Sequence, residues 1–422
     1  MPRTALLNRN GDVTDSGEYK TPFKDPRKRF GASLGNLSSG RVGIINMANM
    51  NLHLACIIGI RYSAVRRQFG KNQEGMELPV IEYQMQQVRL FPYLAASFLH
   101  HHFSRDFADN FFQFIMAGMA REDPEQLAAM GQEIHGLSSA AKPLAGWTAQ
   151  AAIQECREAC GGHGYLQKAR FGCLRDDNDA NCTYEGDNNV LLQQTSNWLL
   201  NAWRSRKFRS PFQSLDFLQK ADTLLITTFG SPEHCNLNEL DILLDIFHVL
   251  IVHLLHFVSD KMEILRRNGM DEFEAKNEAQ FFAARTLALV FIQSNVLQRF
   301  LKYLNTGDEF AAEEKSVMRQ LALIYALWNL EKYLGYLFQF GILTSGQFVT
   351  DIHETLLETC KALVPNAVAL ADVLSPPDFI LNSVLGNSDG AIYKHLQQAF
   401  FETNSFGKSD YWSAVVQSNS KL

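Results

Sequence analysis

The run Cys182-Thr183-Tyr184-Glu185-Gly186-Asp187-Asn188-Asn189 places a carboxylate beside a glycine, immediately ahead of a helical pattern that ends near Arg204. Leu191, Thr195, Trp198, Leu199 and Ala202 share one helical face, with Gln193, Gln194, Asn197 and Asn201 opposite. Asp187 or Asn188 is the expected N-cap. Glu185 therefore falls on the turn before the helix, where Gly186 lets the backbone bend and aim the carboxylate. Such a group suits proton abstraction, although an acid near a helix N-terminus can also simply complement the dipole. A second candidate is Arg61-Tyr62-Ser63-Ala64-Val65-Arg66-Arg67-Gln68-Phe69-Gly70. Clustered guanidinium groups grip phosphate oxygens through a rigid donor fork, or complement the end of a helix. A third is Gly161-Gly162-His163-Gly164-Tyr165, which either terminates a helix or lets a ligand approach bare backbone.

These residues need scaffolding. A helix is expected from Ser38 or Ser39 to Phe69, with Val42, Ile45, Ala48, Leu52, Ala55 and Ile58 near a 3.6 period and Gly70 as C-cap. Pro79 opens a second helical segment, bent at Pro92 and running toward Met119. Asp123-Pro124 starts a third that continues past Pro143 to Cys160. With the helix after Asp187, these form an antiparallel bundle over residues 38–204. Residues 1–37 read as a turn-rich connecting arm, with a basic stretch from Lys24 to Arg29. Lys207 to Pro211 read as a linker, followed by a second helical domain over 205–422. Its segments are expected near Asn236–Arg267, Asp271–Leu304, Ala312–Phe340, Gly346–Leu374 and Ala391–Asn404. No strand alternation or repeat is evident, so the fold class is all-α.

With 422 residues, 46% of them hydrophobic, the chain can bury sizeable cores, and its length suggests two or three domains. A net charge of -6 without a basic aromatic face gives no indication of nucleic acid. The most apolar run, Ile246 to Val258, is short for a bilayer and broken by His248, His253 and His256, so no membrane span is expected. Seven cysteines at irregular spacing suggest reduced thiols. Cys156, Cys160, His163, Cys173 and Cys182 lie near one another without a Cys-x-x-Cys pair, so no metal site is expected. The triplet His100-His101-His102 reads as a solvated edge, since three successive residues cannot share a helical face. Ser420-Lys421-Leu422 matches the peroxisomal address that an import receptor reads at a free C-terminus.

Taken together, several elements resemble the acyl-CoA dehydrogenase and oxidase superfamily, and the peroxisomal acyl-CoA oxidases in particular. They are Ser39-Gly40-Arg41, Tyr62-x-x-x-Arg66-x-x-Phe69-Gly70, Tyr83-Gln84, Glu158 to Tyr165, and Cys182 to Gly186, in the family's order. The run Leu174 to Asn197 is most similar to the branched-chain, pristanoyl-type oxidases. The resemblance implies a flavin-binding-type helical bundle, an FAD cofactor, an acyl-CoA substrate, trans-2-enoyl-CoA and hydrogen peroxide as products, and a homodimer. It makes Glu185 the catalytic base and the Glu185-Gly186 segment part of the substrate site, with Arg41 near CoA. It places Arg66, Arg67 and Gln68 at the FAD pyrophosphate, usually across a dimer interface, and Phe69 and Gln84 near the adenine. Gly161, Gly162, Asp187, Asn188 and Asn189 complete the cofactor side. Glu158 and Asp187-Asn188-Asn189 depart from the glutamine and Thr-Ser-Gln forms common in the dehydrogenases. Family members also carry helical and beta domains upstream, so the sequence is expected to start at the exit from the latter, as a fragment or truncated isoform that is active or acts only as a dimerisation partner.

Overall fold

The computed structural model describes residues 2–8, 11–25, 37–120, 123–208, 210–229, 235–307, 310–402 and 407–419. Most of the basic arm stretch and the tripeptide Ser420-Lys421-Leu422 fall outside them. Helix α1 spans Leu37–Val65, α2 Gln84–Ala120, α3 Pro124–Ala159, α4 Phe171–Asp179 and α5 Asn188–Ser205. The helix α1 is buried on most sides, from Val42 and Ile45 through Ile57, Ile58 and Ile60. Such an all-round apolar sequence must lie inside a bundle rather than along its surface. Asp123 caps α3 by accepting from the Gln126 N–H at 3.0 Å. Pro92 lies inside an unbroken α2.

The first helix ends earlier than its periodicity suggests. Arg67–Lys71 (β1) and Glu77–Pro79 (β2) form an antiparallel pair, with Arg67 opposite Pro79 and Lys71 opposite Glu77. The Val80 N–H donates to the Arg66 carbonyl at 2.7 Å. The Tyr83 hydroxyl donates to the Gln68 carbonyl at 2.8 Å and accepts from the Gly70 N–H at 2.7 Å. These tertiary partners replace helical ones, and Phe69, not Gly70, takes the left-handed conformation, at φ 70°. A smaller antiparallel pair joins Asp12–Val13 to Tyr19–Lys20 in the arm.

The second half comprises α6 (Leu240–Arg267), α7 (Glu272–Ala279), α8 (Arg285–Thr306), α9 (Ala312–Glu331), α10 (Gln347–Leu363), α11 (Ala367–Val373) and α12 (Ile392–Glu402). A π turn, Gln280–Ala284, joins α7 to α8, and Asp271 and Glu274 form a reciprocal capping box ahead of it. One buried apolar cluster runs from Val42 to Leu396, across both halves of the chain. Polar ties reinforce it. The Glu133 carboxylate on α3, buried, accepts from the Phe212 and Ser214 N–H groups at 2.8 and 3.1 Å, which fixes the segment leading out of the bundle. Arg61 on α1 donates to Asp372 at 2.8 Å and to the Gly386 carbonyl at 2.7 Å.

The solvated edge expected at His100-His101-His102 is overturned here. His100 is buried, with its ring edge-on to Tyr325, while His102 stacks on Tyr303 at 4.4 Å. The triplet is therefore an interhelical contact, because α8 and α9 cover the faces of α2 that one helix considered alone would leave in water. The helix carrying Ile246–Val258 is 28 residues long, so it is long and apolar enough to cross a membrane, as are Leu37–Val65 and the combined Glu272–Thr306. Of their most apolar windows, 61%, 72% and 72% respectively are buried within the protein.

Candidate functional site

Glu185 stands on the turn between a short 3-10 segment, Ala180–Cys182, and α5. Asp187 is the N-cap, its side chain accepting from the Asn189 N–H at 2.9 Å and the Val190 N–H at 3.3 Å. Glu185 takes φ 56° and Gly186 φ 117°. A left-handed conformation costs a non-glycine residue roughly 1–2 kcal/mol, so surrounding contacts must hold this turn. Two buried cations do so. Arg41 of α1, 4% exposed, donates from Nε to the Glu185 carbonyl at 3.2 Å. Lys142 of α3, 0% exposed, donates from Nζ to the Gly186 carbonyl at 2.7 Å and to Asn188 Oδ1 at 2.9 Å.

The electrostatics follow from that burial. Desolvation pulls the Lys142 ammonium down to about 8, opposed by Cys182, Asp187 and Glu185 and reinforced by Arg41. Burial likewise lowers Arg41, with Glu185 opposing. Arg41 also meets His135 Nδ1 at 3.4 Å and donates to Ser139 Oγ at 3.2 Å. Its guanidinium lies beneath the turn, whereas the Glu185 side chain is exposed to solvent. A Cβ at Gly40 would come within 2.8 Å of Glu185 Cδ and 3.0 Å of both carboxylate oxygens, so the start of α1 leaves a bare backbone for the carboxylate to lie against.

A second cluster occupies the other end of α1. A cavity of about 540 Å³ is lined by Tyr62, Arg66, Gln68, Phe69, Tyr83, Met85, Glu158, Gly161, Gly162 and His163, among others. Arg66 donates to the Tyr393 hydroxyl of α12 at 2.8 Å, a bond that raises its pKa. His163 Nδ1 meets the Tyr62 hydroxyl at 2.9 Å, and burial pushes that phenol up to about 12. Gly161 has φ 59°, and a Cβ at either Gly161 or Gly162 would meet only open space, so this backbone is accessible from the cavity. Phe69 is 72% exposed.

Five expected cofactor residues, Arg66, Gln68, Phe69, Gly161 and Gly162, thus share one cavity. Arg67 instead donates to the Glu77 carbonyl at 2.9 Å, and Gln84 lines an adjoining cavity with Lys361 and Val364. Asp187, Asn188 and Asn189 lie at the Glu185 turn, where Asn188 is buried and Asn189 Oδ1 accepts from Arg285 at 3.3 Å. The cation Arg285 sits 5.0 Å from the Trp147 ring. The two groups are held apart by α1, whose length between Arg41 and Tyr62 is roughly 30 Å. Lys142 and Tyr393 were not singled out from sequence; a lone lysine in a long helix and a tyrosine far along the chain carry no local signal.

Residues 34–200 match the acyl-CoA oxidase C-alpha1 domain, and residues 239–420 match the acyl-CoA oxidase family. Human peroxisomal acyl-coenzyme A oxidase 3 is 45% identical over 419 residues, 98% of this chain and 59% of that protein. The chain thus spans about three-fifths of the length of that relative. Among solved structures, Arabidopsis thaliana acyl-CoA oxidase 1 superposes with TM-score 0.87 at 27% identity, over 99% of this chain and 62% of that one. The fold is shared with acyl-CoA oxidase-1 of Caenorhabditis elegans, solved in complex with FAD and ATP, at TM-score 0.83 and 22% identity over 100% of this chain and 61% of that one.

Proposed function

The chain belongs to the acyl-CoA oxidase family, and on that premise we propose that it serves FAD-dependent oxidation of acyl-CoA to trans-2-enoyl-CoA, with oxygen reduced to hydrogen peroxide. The observation that carries this reading is Glu185, a carboxylate projecting from a left-handed turn clamped at both its carbonyl and the next. The α hydrogen of a thioester is weakly acidic, so its removal needs a positioned base and donors to the developing enolate oxygen. Glu185 takes that proton onto its carboxylate. FAD, when bound, would supply the hydride acceptor for the β hydrogen and the two-electron route to oxygen.

The cavity at the far end of α1 suits the phosphate end of this cofactor. Arg66 and Gln68 offer donors, Gly161 and Gly162 offer accessible backbone, and Phe69 offers an exposed ring. Arg67, Gln84, Asp187 and Asn189 are exposed and belong to the proposed cofactor surface at its margins. Arg41, expected near CoA, also holds the turn from below through the Glu185 carbonyl. Because roughly 30 Å of α1 separates Arg66 from Glu185, one flavin reaches both only if two chains contribute, which supports a homodimer. A branched, pristanoyl-type substrate is the finer reading, supported by the 45% identity to the human oxidase 3. A peroxisomal location is supported by that relative's name, with Ser420-Lys421-Leu422 as the segment an import receptor would read.

A second reading is favoured by the exposure of Glu185 to water: the chain acts as a dimerisation partner without turnover. The experiment that separates them is Glu185→Gln in FAD-loaded protein. Proton-transfer bases contribute about 10²- to 10⁴-fold, so turnover should fall by that factor while flavin content is unchanged. Full oxidation by the variant would sink the assignment.

A further inference from the structure

Lys142 is a lysine with no exposed surface, and the acceptors it meets lie on the turn that carries the proposed base. A buried ammonium is costly unless its donors are satisfied, so its environment is a constraint on both partners. Here the partners are the Gly186 carbonyl and Asn188 Oδ1, one residue and three residues beyond Glu185. Arg41 donates to the Glu185 carbonyl, reaching from α1 as Lys142 reaches from α3. The carbonyls of two successive peptides, those of Glu185 and Gly186, are thus each held by a different helix, with Glu185 in a left-handed conformation that costs a non-glycine residue energy.

We infer that Lys142 is a positioning residue that locks the left-handed turn bearing Glu185 and so fixes where the carboxylate points. It acts through the backbone of Gly186 and the side chain of Asn188. The importance of this lock for catalysis rests on the reading of Glu185 as the base; the lock itself does not. The charged groups around it are Arg41, Glu185, Asp187 and the Cys182 thiol, with His135 behind Arg41. Among the described residues Lys142 alone of the lysines and arginines donates to the Gly186 carbonyl, so loss of the ammonium leaves that carbonyl without its cation, with Asp187 still capping the helix that follows.

The test is Lys142→Met, which keeps the length and apolar stem of the side chain, compared with the parent chain by amide hydrogen exchange without ligands. Exchange across residues 183–190 should rise at least tenfold, with the middle of α1 and of α3 unchanged. In FAD-loaded protein kcat should fall at least tenfold, while KM for acyl-CoA and flavin content stay within twofold. Lys142→Gln, which retains a neutral donor, should recover part of both effects and serves in its place if the Met variant does not fold. Unchanged exchange at the turn, a uniform rise over the whole chain, or failure of both variants to fold overturns the inference. If the parent chain does not oxidise acyl-CoA, yet Lys142→Met loosens this turn alone, the assignment of Glu185 falls and the lock stands.

Discussion

At the scale of residues, the Glu185 carboxylate lies over Gly40, where no side chain stands in its way. Alanine at Gly40 would place its Cβ 2.8 Å from Glu185 Cδ, a separation that must be relieved by moving the side chain or the turn. Gly40→Ala lies within α1, where alanine is favoured over glycine by up to about 1 kcal/mol. The expected outcome is therefore divergence: thermal stability held or raised, turnover lowered about tenfold or more, read by melting temperature and kcat on one preparation. Parallel loss of both would show that the contact matters for folding only. Much at this scale was legible in the sequence. The Glu185-Gly186-Asp187 order predicts a turn followed by a cap, and the turn is there with Asp187 as the cap. Arg41 and Lys142 were not legible as clamps, because their acceptors are backbone carbonyls that become neighbours only when three helices have packed.

At the scale of elements, the buried histidines give the bundle a pH-dependent stability. His53 on α1 is lowered to about 4 and His100 on α2 to about 3, in both cases first by burial and then by a neighbouring histidine, His101 for His53 and His53 for His100. His248 on α6 is lowered to about 4, by burial and then Lys220, and stacks on Phe217 at 4.2 Å. Each stays neutral in the folded chain while its unfolded counterpart takes up a proton below about 6.5. The unfolded state thus binds more protons, and stability present above pH 6.5 is lost as pH falls toward 4. At pH 5 the loss is roughly 2 kcal/mol for each histidine. Urea denaturation at pH 7 and pH 5 should show a lower midpoint at pH 5, and the difference should shrink in His53→Gln. The helices themselves were largely readable from apolar period and caps; Asp123 caps where the sequence places it, and the segment expected from Asp271 opens there on a capping box. The β1–β2 hairpin was not. Arg66 to Gly70 continue a helical period, and only the Tyr83 hydroxyl and the Val80 N–H, supplied from further along the chain, redirect them.

At the scale of the whole molecule, α1 is a ruler with a functional group at each end. The Glu185 turn rests on Gly40 and Arg41 at its start, and the Arg66 cavity opens beyond Val65 at its finish. Motifs gave each group separately, but their separation of roughly 30 Å emerges only from a straight helix between them. The second half, where the sequence showed no chemistry, also reaches the site: Tyr393 on α12 binds Arg66, and Arg285 on α8 binds Asn189. The central claim is that one flavin site draws Glu185 from one chain and Arg66 from another. Mixing Glu185→Gln with Arg66→Ala tests it most directly, since neither variant alone can build an intact site. Under the shared-site account, random reassortment gives mixed dimers in which one site of two carries neither substitution, so acyl-CoA oxidation should recover to roughly a quarter of the parent rate. No recovery above the separate variants would contradict the account.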